Sequence, residues 1–269
     1  MKLGLIQMNV CENKTKNLKT AAESVKNLAK QGAEIVILPE MFCCPYENSA
    51  FVREAEAEGG TVTTALSQMA RENRVILIGG SMPEEDHGKL YNTSFVYNVD
   101  GTRIARHRKA HLFDINVPNG QVFYESDTFT AGDEITIFKT NLGTFGLCIC
   151  FDMRFPELAR AMALRGAQVI FCPAAFNNTT GPAHWEVMHR ARAIDNQLYV
   201  VSVAPAANPS ASYHSYGHSI VVSPWGEVLA QAEREECSFC VEIDLAKNDE
   251  IRKSLPLLSG LKPNLYGIY

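Results

Sequence analysis

The sequence predicts an α/β protein: a four-layer α-β-β-α sandwich with two facing mixed sheets and helices outside. Three observations carry this. Short apolar runs of strand length alternate with segments whose apolar residues recur every three or four positions. A hairpin signal interrupts that alternation, so antiparallel strands join parallel ones. One segment is also echoed, since Gln31-Gly32-Ala33-Glu34-Ile35-Val36-Ile37-Leu38-Pro39-Glu40 reads like Arg165-Gly166-Ala167-Gln168-Val169-Ile170-Phe171-Cys172-Pro173-Ala174. Each is a helix end, a turn and a buried strand, and a pseudo-symmetric pair of βα halves gives two sheets face to face. A chance pair of common αβ junctions is the competing explanation.

In chain order, Met1 to Asn9 opens with a strand, too short and too soon polar for a signal peptide. Leu18, Ala21, Ala22, Val25, Leu28 and Ala29 follow with helical spacing, and Gly32 ends the run before the strand Ile35-Val36-Ile37-Leu38. A second helix holding Leu66, Met69 and Ala70 leads to the strand Val75 to Ile78. Tyr91 to Val99, an Asp100-Gly101 turn and Thr102 toward Lys109 form the hairpin. The later half repeats the logic: a strand from Thr144 to Ile149, a helix opened by Pro156 and closed by Gly166, a strand from Val169, and a helix near Trp185 to Ile194. Strands follow at Tyr199 to Val203, Ser219 to Ser223 and Cys237 to Ile243.

The 269 residues, 46% hydrophobic, bury a substantial core without disulfides or metals, and no linker divides them, so one domain over 1–269 is expected. The tail, 254–269, carries Leu255, Leu257, Leu258, Leu261, Leu265, Tyr266 and Ile268 without clear periodicity. Either it packs on its own domain or it lies at a subunit interface, and a homodimer or higher homo-oligomer is expected. A net charge of −5 with scattered cations gives no stripe that tracks phosphates, so nucleic acid is not an expected partner. No apolar run reaches membrane-spanning length, so neither is a membrane. Eight cysteines, mostly in strand-like apolar runs, fit buried thiols in a reducing cytoplasm. Cys237 and Cys240 form a lone C-x-x-C without the second pair or histidines that zinc would take, and a strand is the better reading.

Candidate chemistry gathers where strands end. Cys150 stands between the strand Thr144 to Ile149 and the Pro156 helix, the edge where α/β sheets collect ligands. A helix start there lends a thiol thiolate character. Taken singly, a strand cysteine is more often a small buried residue. Glu40 ends the strand after Ile35, either at the same edge or as a solvated loop acid. Lys109, in Arg106-His107-Arg108-Lys109-Ala110-His111, reads on local composition as a wet surface cation. His107 and His111 lie four apart on a strand and loop, which does not make a helical metal pair.

Three blocks change that weighting. Leu38-Pro39-Glu40-Met41-Phe42, Arg108-Lys109-Ala110-His111-Leu112-Phe113 and Cys150-Phe151-Asp152-Met153-Arg154-Phe155-Pro156-Glu157 resemble, in order and spacing, the catalytic blocks of the nitrilase superfamily. Ala175 to Glu186, Gly217-His218-Ser219 and Pro224-Trp225-Gly226-Glu227 resemble its omega-amidase branch, and the likeness spans essentially the whole chain. The resemblance implies a Glu-Lys-Cys triad of Glu40, Lys109 and Cys150, with Glu125 matching a second glutamate near the site. Glu125 either orients Lys109 or substrate, or is a loop carboxylate capping something nearby.

The implied reaction is amide hydrolysis through a thioester: Glu40 takes and returns the proton, while Lys109 and the Phe151 amide meet the oxyanion. It requires no metal or organic cofactor. The implied substrates are small carboxylated amides, α-ketoglutaramate and α-ketosuccinamate. Arg154 is the candidate for the distant carboxylate, unless it serves a structural ion pair. Phe176, Thr180 and Tyr46 are further candidate binding groups. Competing expectations are a deaminated glutathione amidase, an N-carbamoyl amino-acid hydrolase, a true nitrilase, or a catalytically silent binding protein on the same fold.

Overall fold

The computed structural model describes residues 1–118 and 121–266. The first half runs β1 (Lys2–Gln7), α1 (Lys14–Lys30), β2 (Ile35–Ile37), α2 (Asn48–Glu54), α3 (Thr61–Asn73), β3 (Ile76–Ile78), β4 (Met82–Asp86), β5 (Lys89–Tyr97) and β6 (Arg103–Arg108). A small hairpin, β7 (Asp114–Asn116) and β8 (Val122–Tyr124), leads out of it. The second half runs β9 (Thr136–Thr140), β10 (Gly143–Leu147), α4 (Pro156–Leu164), β11 (Val169–Pro173), α5 (Gly181–Asn196), β12 (Tyr199–Val203), β13 (Ile220–Val222) and β14 (Val228–Gln231). β15 (Cys237–Glu242), α6 (Ala246–Ser254) and α7 (Pro263–Tyr266) complete the chain.

The sequence echo has a local cause. Gly32 and Gly166 both take left-handed φ values, 87° and 91°, that spare glycine the Cβ clash. In α1, Gly32 N donates to Ala29 O and Ala33 N to Leu28 O; in α4, Gly166 N donates to Ala163 O and Ala167 N to Met162 O. These are the paired bonds of a Schellman cap. Each cap turns the chain into a buried strand, β2 or β11, so Glu40 and Ala174 come to matching strand ends.

β1, β2 and β3 pair in parallel and are flanked by antiparallel β15 on one side and β5, β4 and β6 on the other. β10, β11 and β12 likewise pair in parallel, between antiparallel β9 and the β13–β14 pair. Both sheets are mixed. Leu5, Ile37 and Ile78 of the first sheet join Phe145, Phe171 and Val201 of the second in one buried layer. Their opposite faces meet helices: Val36 and Leu77 pack with Val25 and Leu66 of α1 and α3, while Ile170 and Val200 pack with Met162 and Trp185 of α4 and α5. That order is helix, sheet, sheet, helix. Fully burying each such aliphatic side chain contributes about 1.5–3 kcal/mol, so the doubly covered strands anchor whatever extends from their ends.

The Cys237 and Cys240 pair lies in β15, as a strand, and all eight cysteines are free. The edge strands β4, β9 and β14 and the helix α6 go beyond the sequence expectation. β4 is Met-Pro-Glu-Glu-Asp, whose Glu84 is buried beneath Arg106 and Arg108 of β6. No helix among the described residues is long and apolar enough to cross a membrane.

Candidate active site

Glu40 leaves β2 through a tight crossing. Gly80, at φ 60°, runs so close that a Cβ there would stand 2.2 Å from Pro39 O. Met41 takes φ 51°, and its N–H donates to Ser81 Oγ at 3.1 Å, which fixes the chain on both sides of Glu40. Lys109 continues β6: its N–H donates to Asn92 O and its carbonyl accepts from Gly132 N, both at 2.8 Å. Its side chain is fully buried, not the surface cation its neighbours suggest. Glu125 is buried as well, in a short 3-10 turn after β8.

These three form one network. Lys109 Nζ donates to Glu40 Oε1 at 2.9 Å and stands 2.8 Å from Glu125 Oε2. Asn92 Nδ2 reaches Glu40 Oε1 and Glu125 Oε1, each at 2.9 Å, and Phe113 N donates to Glu125 Oε2 at 2.7 Å. Tyr46 Oη lies 3.4 Å from both carboxylates and from Nζ, and its ring packs on Tyr213 at 4.4 Å. Burial works against the Lys109 ammonium, but Glu125 and Glu40 outweigh it and hold its pKa above the ordinary range. Burial also pushes the Glu40 carboxyl up, with Glu125 helping and Lys109 opposing.

Cys150 arrives from the other sheet. β10 ends at Leu147, and a 3-10 turn over Cys150–Arg154 begins on the thiol, with Pro156 then opening α4. Cys150 adopts φ 45°, a strained conformation for a non-glycine residue of the kind found at functional sites. The thiol lies near enough to the Glu40 carboxyl to oppose its upward shift, and Glu40 Oε2 has no hydrogen-bond partner among the described residues. The Phe151 amide precedes the first bond of the turn, from Asp152 N to Ile149 O, and so is not taken up by it. The expectation of a thiolate favoured by the helix start is corrected here. Burial and the Glu40 charge push the Cys150 thiol well up, against the pull of Lys109, so the resting thiol keeps its proton and needs a base.

Arg154 lies at the end of the same turn. Its Nη1 is 3.1 Å from His184 Nδ1, and its guanidinium carbon is 4.8 Å above the Phe176 ring and 5.5 Å from the Phe151 ring. Its buried Nε has no partner, and no carboxylate among the described residues pairs with it, so the structural ion pair is absent. Burial lowers its pKa, which an incoming carboxylate would reverse. Phe176 is buried against Trp185 at 5.0 Å. Thr180 is partly exposed, and its amide and hydroxyl both point to Asn177 Oδ1, at 2.9 and 3.2 Å, which ties it to the α5 start. A cavity of about 240 Å³ opens beside Glu40, Tyr46, Ala175 and Tyr213; neither Cys150 nor Arg154 lines it.

Three groups at the site escaped the sequence reading. Asn92 sits mid-strand in β5, where an Asn flanked by Tyr91 and Thr93 gives no local signal. Tyr213 comes from a loop, and its hydroxyl donates to Ala175 O. Asp152 was part of the Cys150 block but had no role, and His107 and His111 were read as bland; both rings face Asp152, at 2.9 and 2.8 Å. No cluster of three His, Cys, Asp or Glu side chains among the described residues is disposed to hold a metal ion.

A thiol from one sheet stands with a carboxylate and an ammonium from the other at the strand ends of an α-β-β-α sandwich, and the comparisons with known proteins give the class as hydrolases of carbon–nitrogen bonds. The profile for carbon-nitrogen hydrolases spans residues 2–253. The chain is 50% identical over 267 residues to the omega-amidase NIT2 of Mus musculus, covering 99% of this chain and 97% of the relative. The human omega-amidase NIT2 is 49% identical with the same coverage. Saccharomyces cerevisiae Nit3, a member of branch 10 of the nitrilase superfamily, superposes with a TM-score of 0.89 at 39% identity over 96% of this chain and 94% of that one. The chain belongs to the carbon-nitrogen hydrolase family, in the nitrilase superfamily, and is an enzyme acting on amides.

Proposed function

We propose that this enzyme is an omega-amidase, hydrolysing the terminal amide of α-ketoglutaramate and α-ketosuccinamate to the α-keto dicarboxylate and ammonia. The observation that carries the reading is Arg154, a half-buried guanidinium whose Nε has no partner and which pairs with no carboxylate among the described residues, on the same turn as Cys150. A monoamide of a dicarboxylic acid supplies that carboxylate at one end and the reacting carbonyl at the other. The omega-amidase relatives, about half identical over nearly the whole chain, support the same reading.

Glu40 takes the Cys150 proton as sulfur bonds to the amide carbon. The carbonyl oxygen becomes an oxyanion facing Lys109 Nζ and the Phe151 amide, donors fixed before the charge develops. Glu40 then delivers the proton to the departing nitrogen, the carbon–nitrogen bond breaks, and ammonia leaves a thioester on Cys150. Water activated by Glu40 attacks the thioester, releasing the acid and restoring the thiol. The proton balance closes on Glu40 alone. Glu125 holds Lys109 and the Phe113 amide, and so orients the ammonium, while Tyr46 and Phe176 wall the acyl chain. Thr180, turned to Asn177, contributes least.

The test is turnover of α-ketoglutaramate, read as ammonia release, beside that of a neutral short amide such as propionamide. Arg154→Ala is expected to lower kcat/KM for the carboxylated substrate roughly 10- to 100-fold, the worth of a charge-assisted pair, and to leave the neutral amide nearly unchanged. Equal losses on both would make Arg154 structural. Preference for propionamide in the native enzyme would overturn the omega-amidase reading itself.

We also propose a homodimer in the cytoplasm, with the 254–269 tail at the subunit interface. Leu255, Leu257, Leu265 and Tyr266 are exposed, as are Val187 and Ile194 of α5 and Trp225; Ile268 lies outside the described residues. Exposed apolar residues in such number are characteristic of association surfaces. The eight free thiols suit a reducing compartment. Native mass measurement is expected to give twice the chain mass at micromolar concentration, and a monomer there would dismiss the dimer.

A further inference from the structure

Glu40 and Lys109 belong to one sheet and Cys150 to the other, so the distance between base, ammonium and thiol depends on how the two sheets are tied at this edge. One buried carboxylate ties them. Asp152 is 1% exposed, and its two oxygens face four nitrogens: Ile149 N and His107 Nε2 on Oδ2, at 3.0 and 2.9 Å, and His111 N and Nδ1 on Oδ1, at 2.9 and 2.8 Å. Ile149 precedes the nucleophile, and Asp152 N returns a bond to Ile149 O at 3.0 Å, closing a ring around the φ 45° cysteine. His107 and His111 stand two residues to either side of Lys109. The other nitrogen of His107, Nδ1, accepts from the Thr136 hydroxyl of β9 at 2.9 Å, which leaves the ring proton on Nε2 for Asp152. Thus one set of hydrogen bonds runs from the Lys109 strand through Asp152 to the Cys150 turn.

We propose that Asp152, held by His107 and His111, is a positioning residue that keeps the Cys150 turn at its reacting distance from Glu40 and Lys109. This rests on the roles given to those three residues above. The clamp requires a carboxylate, since each oxygen accepts from a backbone N–H that cannot turn away. An amide in its place sets an N–H₂ against Ile149 N in one orientation and against His111 N in the other. The bonds from His107 and His111 outweigh burial and hold the Asp152 carboxyl below its usual range, so it stays ionised at working pH.

The test compares Asp152→Asn with His111→Phe, which keeps the 3.6 Å ring stack on Phe155 but deletes one donor. Active sites are counted by stoichiometric alkylation of Cys150 with iodoacetamide, and kcat for α-ketoglutaramate is expressed per site. A misplacement of the nucleophile predicts kcat down about a hundredfold in Asp152→Asn and about tenfold in His111→Phe, with KM within about twofold. The pH profile of Cys150 alkylation should move in both, because the thiol's distance from Glu40 and Lys109 sets it. Variants that lose thermal stability yet keep native kcat per site and a native alkylation profile would overturn the proposal, leaving Asp152 a fold-stabilising residue. If Asp152→Asn does not fold, His111→Phe decides by the same readouts. Absence of Cys150-dependent turnover in the native enzyme would refute the proposed function instead, and the alkylation profile would still judge the clamp.

Discussion

Cys150→Ala is expected to lower α-ketoglutaramate turnover by roughly 100,000-fold or more while leaving the fold in place, because it removes the atom that forms the thioester in the proposed mechanism. The structural cost is small. Alanine keeps the Cβ at a position already held at φ 45°, so the backbone strain is unchanged, and deleting one buried heavy atom costs on the order of 1 kcal/mol. No neighbouring thiol can replace it. Cys148 is buried two residues earlier on the path out of β10, and its neighbour Cys172 together with burial pushes its thiol far up, so it is not acidic enough to attack. The measurement is ammonia release by the purified variant, with thermal unfolding run in parallel. A variant as active as the native enzyme would remove Cys150 from the mechanism, and with it the roles of Glu40 and Lys109.

Cys150 also shows how far the sequence reaches. Its place between strand and helix was readable from a local pattern, an apolar run ending before a proline-opened helix, and local patterns survive without knowledge of the rest of the chain. The two Schellman caps were readable for the same reason: glycine at a left-handed position leaves the same trace wherever it occurs, and the echo around Gly32 and Gly166 foretold two like halves. Lys109 is the opposite case. Its neighbours Arg106, His107, Arg108 and His111 read as solvated, yet Arg106 and Arg108 turn to Glu84, the histidines turn to Asp152, and the lysine turns inward to Glu40 and Glu125. Burying a charge depends on partners, and those partners arrive from distant strands, so nothing within the segment records them. Only the likeness to a family supplied Lys109. The short edge strands escaped for a related reason: β4 owes its form to charge pairing across β5 and β6, not to alternation of its own side chains.

The second large effect follows from that burial. Lys109→Met is expected to cost about 3–5 kcal/mol of stability, the usual result of removing one member of a buried ionic cluster, and to lower kcat by on the order of a thousandfold. Methionine fills most of the lysine volume, so packing contributes little of the loss. What remains is two buried carboxylates, Glu40 and Glu125, bridged by the single amide nitrogen of Asn92 at 2.9 Å from each. With the ammonium gone, at least one must take a proton to stay folded, which raises its folded pKa above the unfolded value. A carboxyl raised in this way favours the folded state at low pH and loses that advantage as pH rises through the folded pKa, so the deficit of the variant against the native enzyme should shrink on acidification. Adding Glu125→Gln removes the second charge and should restore part of the stability at neutral pH. It should restore no activity, because the oxyanion still lacks its cation. Denaturant unfolding at two pH values, with kcat measured on the same samples, separates these outcomes. A Lys109→Met protein as stable as the native one at neutral pH would mean that the buried cluster is not held by its ammonium.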